Sequence, residues 1–191
     1  MQRALALASM LTLLSTQALA ATTTYQIDPT HTYPSFEADH MGGLSTWRGK
    51  FNKTTGTITF NSFTKQGDVN VTIDVNSVDF GLDVMNTKAK SSDLLDTAKY
   101  PTATYVGKLA GFQDGKPTQV IGDLTLHGVT KPVPLEITSL KCMPHMQLKR
   151  EVCGADARAT FKRDDFGLDM GKFFGFKMDI TLRIQVEAIA D

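Results

Sequence analysis

The chain has 191 residues, 41% hydrophobic and 21% charged, with 15 Gly and 7 Pro. That balance fits one globular domain, or at most two small ones, and excludes disordered and collagen-like polymers. Twenty basic residues against twenty acidic ones leave a formal charge of zero, which points to no nucleic acid and to no other phosphate-rich partner.

Residues 1–20 read as a secretory signal. Arg3 supplies the positive start, Ala4 to Leu14 form an apolar stretch broken only by Ser9 and Thr12, and Ala18-Leu19-Ala20 is the small-x-small cleavage pattern. The apolar run is too short to span a bilayer, and no later stretch approaches ~18 uninterrupted apolar residues. No cysteine follows the run, so no lipid anchor is expected. Residues 21–191 are expected to form a single exported domain, periplasmic or secreted and not membrane-spanning.

From Tyr25 onward the pattern has period two, the mark of half-buried strands. Less regular strands fall at Ser35 to His40, Thr46 to Asn52 and Gly56 to Phe60. In the next, Val69, Val71, Ile73 and Val75 alternate with Asn70, Thr72, Asp74 and Asn76. Further strands are predicted at Ala103 to Leu109, Val120 to His127, Val133 to Leu140 and Ala155 to Arg163. In the last, Ile180, Leu182, Ile184 and Val186 alternate with Thr181, Arg183, Gln185 and Glu187. Turn signals such as Gln113-Asp114-Gly115-Lys116 separate them, as antiparallel hairpins require.

Two segments break the rhythm. Thr87 to Lys99 is rich in Ala, Lys and Leu, and Ser92 or Asp93 could cap a short helix that must stop before Tyr100-Pro101. Met170 to Phe176 sets three Phe among glycines, a poor core for a strand or a helix. One all-β domain of about nine strands, with a short helix in a connection, is the simplest solution. Periodicity allows a sandwich or a barrel, and closure favours the barrel because it removes exposed edges.

Cys142 and Cys153 are separated by ten polar-rich residues. In an exported chain that pair reads as a disulfide, worth about 3 kcal/mol for a loop of about twelve residues. The competing reading joins Cys142, His145 and Cys153, with Met143 or Met146, as soft ligands for Cu(I).

Signatures of common enzymes are missing: there is no G-x-S-x-G, no P-loop and no H-E-x-x-H. His31 and His40 could meet in space with Glu37 or Asp39 as a metal or acid/base cluster, or each could bind backbone at a strand end. Asp28, Asp164 and Asp165 read more simply as turn and cap residues. Arg158, Lys162 and Arg163 stand near a strand end and either meet an anionic head group or are solvated.

The aromatic residues say more. Phe36, Trp47, Phe51, Tyr105 and Phe161 share the apolar parity of their strands, and so do the small residues Ala38, Gly49, Ala103, Gly107, Gly122, Ala157 and Ala159. Small residues opposite large rings leave room for a ligand.

The ordered blocks Ile27-Asp28-Pro29-Thr30-His31, Phe36-x-x-x-His40, Gly49-x-Phe51, Gly56-x-Ile58-x-Phe60, Asp93-Leu94-Leu95-Asp96 with Tyr100-Pro101, Gly122 to Thr130, and Phe161-x-Arg163-x-Asp165-Phe166-Gly167 together resemble the YceI-like, polyisoprenoid-binding proteins. The resemblance spans nearly the whole mature chain. It implies an all-β, antiparallel, lipocalin-like β-barrel whose elongated apolar cavity holds a long-chain isoprenoid lipid or quinone. It implies no enzymatic activity and no cofactor beyond such a lipid. Relatives often carry Arg-Asp-x-x-His-Leu before the Asp-Leu-Leu-Asp block, where this chain has Met85-Asn86-Thr87-Lys88-Ala89. Lys88 or Lys90 is a partial replacement at best, which favours a neutral quinone or other amphiphile over a prenyl pyrophosphate.

The candidate ligand-binding residues are therefore Phe36, Ala38, His40, Trp47 and Phe51 from the first strands, and Leu94 from the helical connection. Tyr105, Ala159, Phe161 and Phe166 come from the later strands, and Phe173, Phe174 and Phe176 from a loop guarding one mouth. The protein is expected to act as carrier or store, with a homodimer open as its assembly. The rival readings are an envelope stress-response protein without lipid turnover, and an enzyme using His31 and His40 on a lipophilic substrate.

Overall fold

Alternating apolar and polar residues extend through nearly every segment of the computed structural model, which describes residues 22–191. The expected signal at residues 1–20 lies outside the described residues. The strands are β1 (Thr23–Ile27), β2 (Tyr33–His40), β3 (Ser45–Phe51), β4 (Thr54–Phe60), β5 (Asp68–Asp74), β6 (Val78–Asp79), β7 (Thr102–Ala110), β8 (Gln119–Leu126), β9 (Val129–Pro132), β10 (Leu135–Pro144), β11 (Glu151–Lys162) and β12 (Asp179–Ala190), with one helix, α1 (Asp83–Lys90). Antiparallel pairing runs β1-β4-β5-β7-β8-β10-β11-β12, and β12 returns to β1, closing an eight-stranded barrel. The strands β2, β3 and β6 extend the wall below β1, β4 and β5, so three of the eight staves are bent and carry two strands each. β9 folds back on β8. Closure leaves the wall without long unpaired edges.

The Ile27-Asp28-Pro29-Thr30-His31 block is one of these bends. β1 pairs with the C-terminal end of β12 and β2 with its N-terminal half, so the chain must step out and return. Asp28 donates its N–H to the Glu187 carbonyl at 2.9 Å, and its Oδ1 accepts from the Thr30 N–H and hydroxyl at 2.8 and 2.6 Å. Pro29 brings no N–H to satisfy. The buried Thr32 hydroxyl then accepts from the Glu187 N–H at 3.1 Å and donates to its carbonyl at 3.2 Å. A side chain thus takes over one rung of the ladder.

The helix lies N-terminal to its predicted place. It covers Asp83–Lys90, and Ser91 to Tyr100 run in turns. Its start is set by Asn86, whose Oδ1 accepts from the Phe80 N–H at 2.7 Å and whose Nδ2 donates to Asp79 at 3.2 Å. Its end is set by Ser91, which gives both its N–H and its hydroxyl to the Lys88 carbonyl. Ser92 and Asp93 therefore follow the helix and do not cap it. The predicted strands form with shifted ends, while β1, β6 and β9 are additions too short to show a period of their own.

The lower end of the barrel is plugged. β8 and β10 pair directly at only two positions, Val120–Leu135 and Gln119–Glu136, and the seam below them is filled by Phe166 and Leu168, which pack with Tyr105, Leu124 and Val133. The Phe161 to Gly167 block is the turn that delivers this plug. Arg163 donates to the carbonyls of Leu168 and Met170, both at 2.6 Å, and Gly167 takes the left-handed conformation at φ 76°. His127 and Gly128 form the β8–β9 turn with positive φ at both residues, as a two-residue hairpin requires. The His127 ring rests on Tyr100, with centroids 4.3 Å apart.

Candidate functional site

The inward parity of the staves does not fill the barrel. A cavity of about 970 Å³ runs through it, from Thr23, Phe60, Ser62 and Lys116 at the upper end to His40, Trp47, Met170 and Phe176 at the lower end. Lining positions Ile180 to Ala188 on β12 span eight residues, which at ~3.3 Å rise and ~40° tilt is ~20 Å along the axis. Aliphatic residues of every stave form the wall, among them Ile27, Val71, Leu124, Leu135 and Ile184. The volume suits a long ligand, and the wall offers it mostly carbon.

At the lower end the His40 ring stacks on Trp47 with centroids 4.6 Å apart, and Phe176 meets it edge-on at 5.5 Å. Phe80 joins Trp47 to Phe36, which packs against Phe51. Asp39 is held there by backbone: its Oδ2 accepts from the N–H of Lys177 at 2.9 Å and of Gly42 at 2.8 Å. The Lys177 N–H is the largest of the contributions that lower its pKa. Arg163 also borders the cavity, and loss of water pulls its pKa down while Asp164, Asp169 and Asp39 pull it up. Lys88 borders it too, but its ammonium is tied to Asp93.

At the upper end Tyr25 donates to Glu151 Oε1 at 2.6 Å. Burial, then the hydrogen bond and charge of Glu151, push the phenol up to about 12, so it stays a neutral donor. Cys142 and Cys153 face each other across β10 and β11, with Cα atoms 4.0 Å apart, and are joined as a disulfide at the cavity wall. Among the described residues the one three-member group with metal-ligating spacing is Cys142, Glu151 and Cys153. Its two thiols are committed to each other, and the group contains no histidine.

Nine of the candidate residues meet on the cavity wall: Phe36, Ala38, His40, Trp47, Phe51, Leu94, Tyr105, Phe161 and Phe176. Four do not. Phe166 is 1% exposed and sits in the plug below the cavity, because its block turns inward to seal the β8–β10 seam. Ala159 has inward parity but packs against that plugged cluster and not on the open wall. Phe173 and Phe174 are 94% and 77% exposed, carried outward by a 3-10 turn (Lys172–Phe174) between Gly171 and Gly175. Of the small residues, Ala38, Ala103 and Ala157 line the cavity, but the glycines do not open it. A Cβ at Gly49 would meet the Phe36 ring at 2.6 Å, and one at Gly107 would meet Ile121 O and Val120 Cγ1 at 2.9 Å.

The histidines stay apart. His31 is on the outer surface, its Nδ1 2.7 Å from Asp28 Oδ2, while His40 is at the far end of β2. Thr30 and His31 bonds outweigh the burial that would raise Asp28, so its carboxyl is lowered, and that carboxylate raises His31. Wall residues that sequence reasoning left unassigned include Tyr25, Phe80, Met85, Leu168 and Met170. The inward face of β12 was visible as alternation and could have been added, whereas Phe80 and Met85 lie where no period exists.

A family model described as YceI-like domain matches residues 25–188. Over 170 residues the chain is 35% identical to protein YceI of Escherichia coli O6:H1, covering 86% of each. It is similar to the crystal structure of a Campylobacter jejuni YCEI protein, with TM-score 0.63 and 23% identity, over 78% of this chain and 87% of that one. It is also similar to a polyisoprenoid binding domain from Saccharophagus degradans implicated in plant cell wall breakdown, with TM-score 0.62 and 19% identity, over 87% of this chain and 98% of that one. At these identities the two structures speak for the fold.

Proposed function

The chain belongs to the YceI-like family, and on that premise we propose that its barrel holds a polyisoprenoid or similar long-chain amphiphile, as a carrier or store in the periplasm or outside the cell. The observation that carries this reading is the apolar cavity of about 970 Å³ running the length of the barrel. Each buried methylene contributes ~0.8 kcal/mol, so a dozen give about 10 kcal/mol before the cost of association. Two or three hydrogen bonds to a head group add less after dehydration. Affinity therefore comes from the tail, and the head group is a neutral one of quinone type, because the lysine nearest the α1 wall is already paired with Asp93.

The same geometry supports binding without catalysis. His40, the histidine on the wall, is packed between two aromatic rings, and His31 is outside the barrel. The cross-strand disulfide agrees with an oxidising compartment. Native mass spectrometry of the purified protein tests the reading: a mass increment of one prenyl amphiphile per barrel is expected, and a lipid-free barrel that takes up no prenyl quinone from micelles refutes it.

A further inference from the structure

Large apolar side chains are exposed at one end of the barrel in three separate connections. The β2–β3 turn carries Met41 and Leu44, the start of α1 carries Leu82 and Val84, and the loop before β12 carries Phe173 and Phe174. The first and last of these touch each other: a Cβ at Gly42 would lie 3.1 Å from the Gly175 carbonyl. Asp39 staples them by accepting the N–H of Gly42 from one and of Lys177 from the other. The middle one joins through Leu82, which shares a crevice of about 210 Å³ with Trp47 and Phe80. Six residues of this kind at one end form the sort of contiguous apolar surface that marks an interaction site.

We propose that this end docks on the surface of a lipid bilayer, with Phe173 and Phe174 seated among the acyl chains. Three observations select a bilayer over a protein partner. The patch is continuous with the cavity, because Met170 and Phe176 line it while Phe173 and Phe174, on the same turn, point out. Its shape is that of protruding turn tips and not of a groove or flat face, which a fluid interface accommodates without a complementary mould. Its charges are already neutralised, Lys172 by Asp164, Arg48 by Glu37 and Lys162 by Asp179, so insertion strips few unpaired ions. The opposite end presents Lys65, Lys116, Lys149 and Arg150 on its turns and stays in water. Docking is therefore driven by apolar burial, not by attraction to anionic head groups.

This inference rests on the lipid-binding reading, since only then does a membrane supply or receive the cargo. The test is flotation of the purified protein with phosphatidylcholine vesicles, comparing the wild type with the double variant Phe173→Asp, Phe174→Asp. Both side chains are on the surface, so the variant folds. The wild type is expected to float with the vesicles in low salt and in 0.5 M salt (roughly a 4 Å screening length), and the variant to lose about tenfold or more of the bound fraction. Loading of a prenyl quinone from detergent micelles, measured at equilibrium, should be equal for the two. Equal flotation of both proteins, no flotation of either, or binding that vanishes with salt overturns the docking inference. So does a dimer of the wild type that the double variant turns into a monomer, since the patch would then be a protein interface. Failure of micellar loading in both proteins counts against the lipid-binding reading instead, whatever the flotation shows.

Discussion

His40 and Trp47 stack on neighbouring strands, their ring centroids 4.6 Å apart and their planes 26° from parallel, and together they floor the lower end of the cavity. Trp47 is the chain's single tryptophan, so its emission reports on this end of the site alone. Titration with a prenyl quinone should quench it in proportion to occupancy. The variant His40→Ala, which removes the stacked ring, should raise the unliganded emission and leave the quenching in place. Emission indifferent to a ligand shown to be bound would put the ligand elsewhere in the barrel.

Tyr105 places its hydroxyl 2.9 Å from the Val133 carbonyl and 3.3 Å from that of Val120, across the weakly paired seam between β8 and β10. Burial holds its pKa well above the usual phenol range. Tyr105→Phe is expected to cost about 1 kcal/mol, the net worth of one buried bond, read as a lower midpoint in urea. Because the phenyl ring still lines the wall, ligand uptake should persist. An unchanged midpoint would mean that the seam does not depend on this bond.

The Asp28–His31 pair makes the β1–β2 bend sensitive to pH. Asp28 is lowered from 3.8, so its contribution is present above that value and lost as pH falls through the folded pKa. His31 is raised from 6.5, so its contribution is present below that value and lost as pH rises through the folded pKa. The melting-temperature gap between wild type and His31→Gln should be widest between about pH 4 and 6.5 and narrow on both sides. A gap independent of pH would show that the two side chains do not share a proton-linked contact.

The Cys142–Cys153 disulfide closes the β10–β11 hairpin beside the cavity wall. Alkylation of the unreduced, denatured protein should label neither thiol. Replacing both by alanine should lower stability by about 3 kcal/mol, following the loop-entropy relation for so short a closure. Full labelling of both cysteines would reopen the soft-metal reading.

Much of this architecture is legible in the residues. Period two from β5 and β12 carries through the sheet, and the Asp114-Gly115 turn adopts the positive φ values that its sequence favours. What periodicity hides is where a strand bends. β1 and β2 form one stave broken at Pro29, with Thr32 supplying a side-chain rung, and no alternation announces such a substitution. The helix was misplaced because its composition extends past Ser91, whereas its ends are fixed by Asn86 and Ser91 bonding to backbone outside any pattern. In the site, parity found the wall aromatics but misread the glycines. Gly49, Gly107 and Gly122 admit rings and close backbone, not ligand. Parity could not tell Phe166 in the plug from Phe161 on the wall, because the 3-10 turn between them (Arg163–Phe166) resets the count.

The central claim is that the wall encloses space for a long apolar chain, and its most direct test is the lipid content and melting temperature of Ala155→Phe beside Gly107→Phe. Ala155 faces the open cavity, so a ring there fills empty volume. Gly107 has backbone and Val120 at 2.9 Å from any added Cβ, so a ring there overpacks the seam at a cost of about 1–3 kcal/mol or more. Extraction and mass spectrometry should find prenyl lipid in the wild type, a several-fold loss in Ala155→Phe with its melting temperature kept or raised, and a lowered melting temperature in Gly107→Phe. Undiminished lipid in Ala155→Phe together with a lowered melting temperature would contradict the account, because position 155 would then face a packed core and not the ligand.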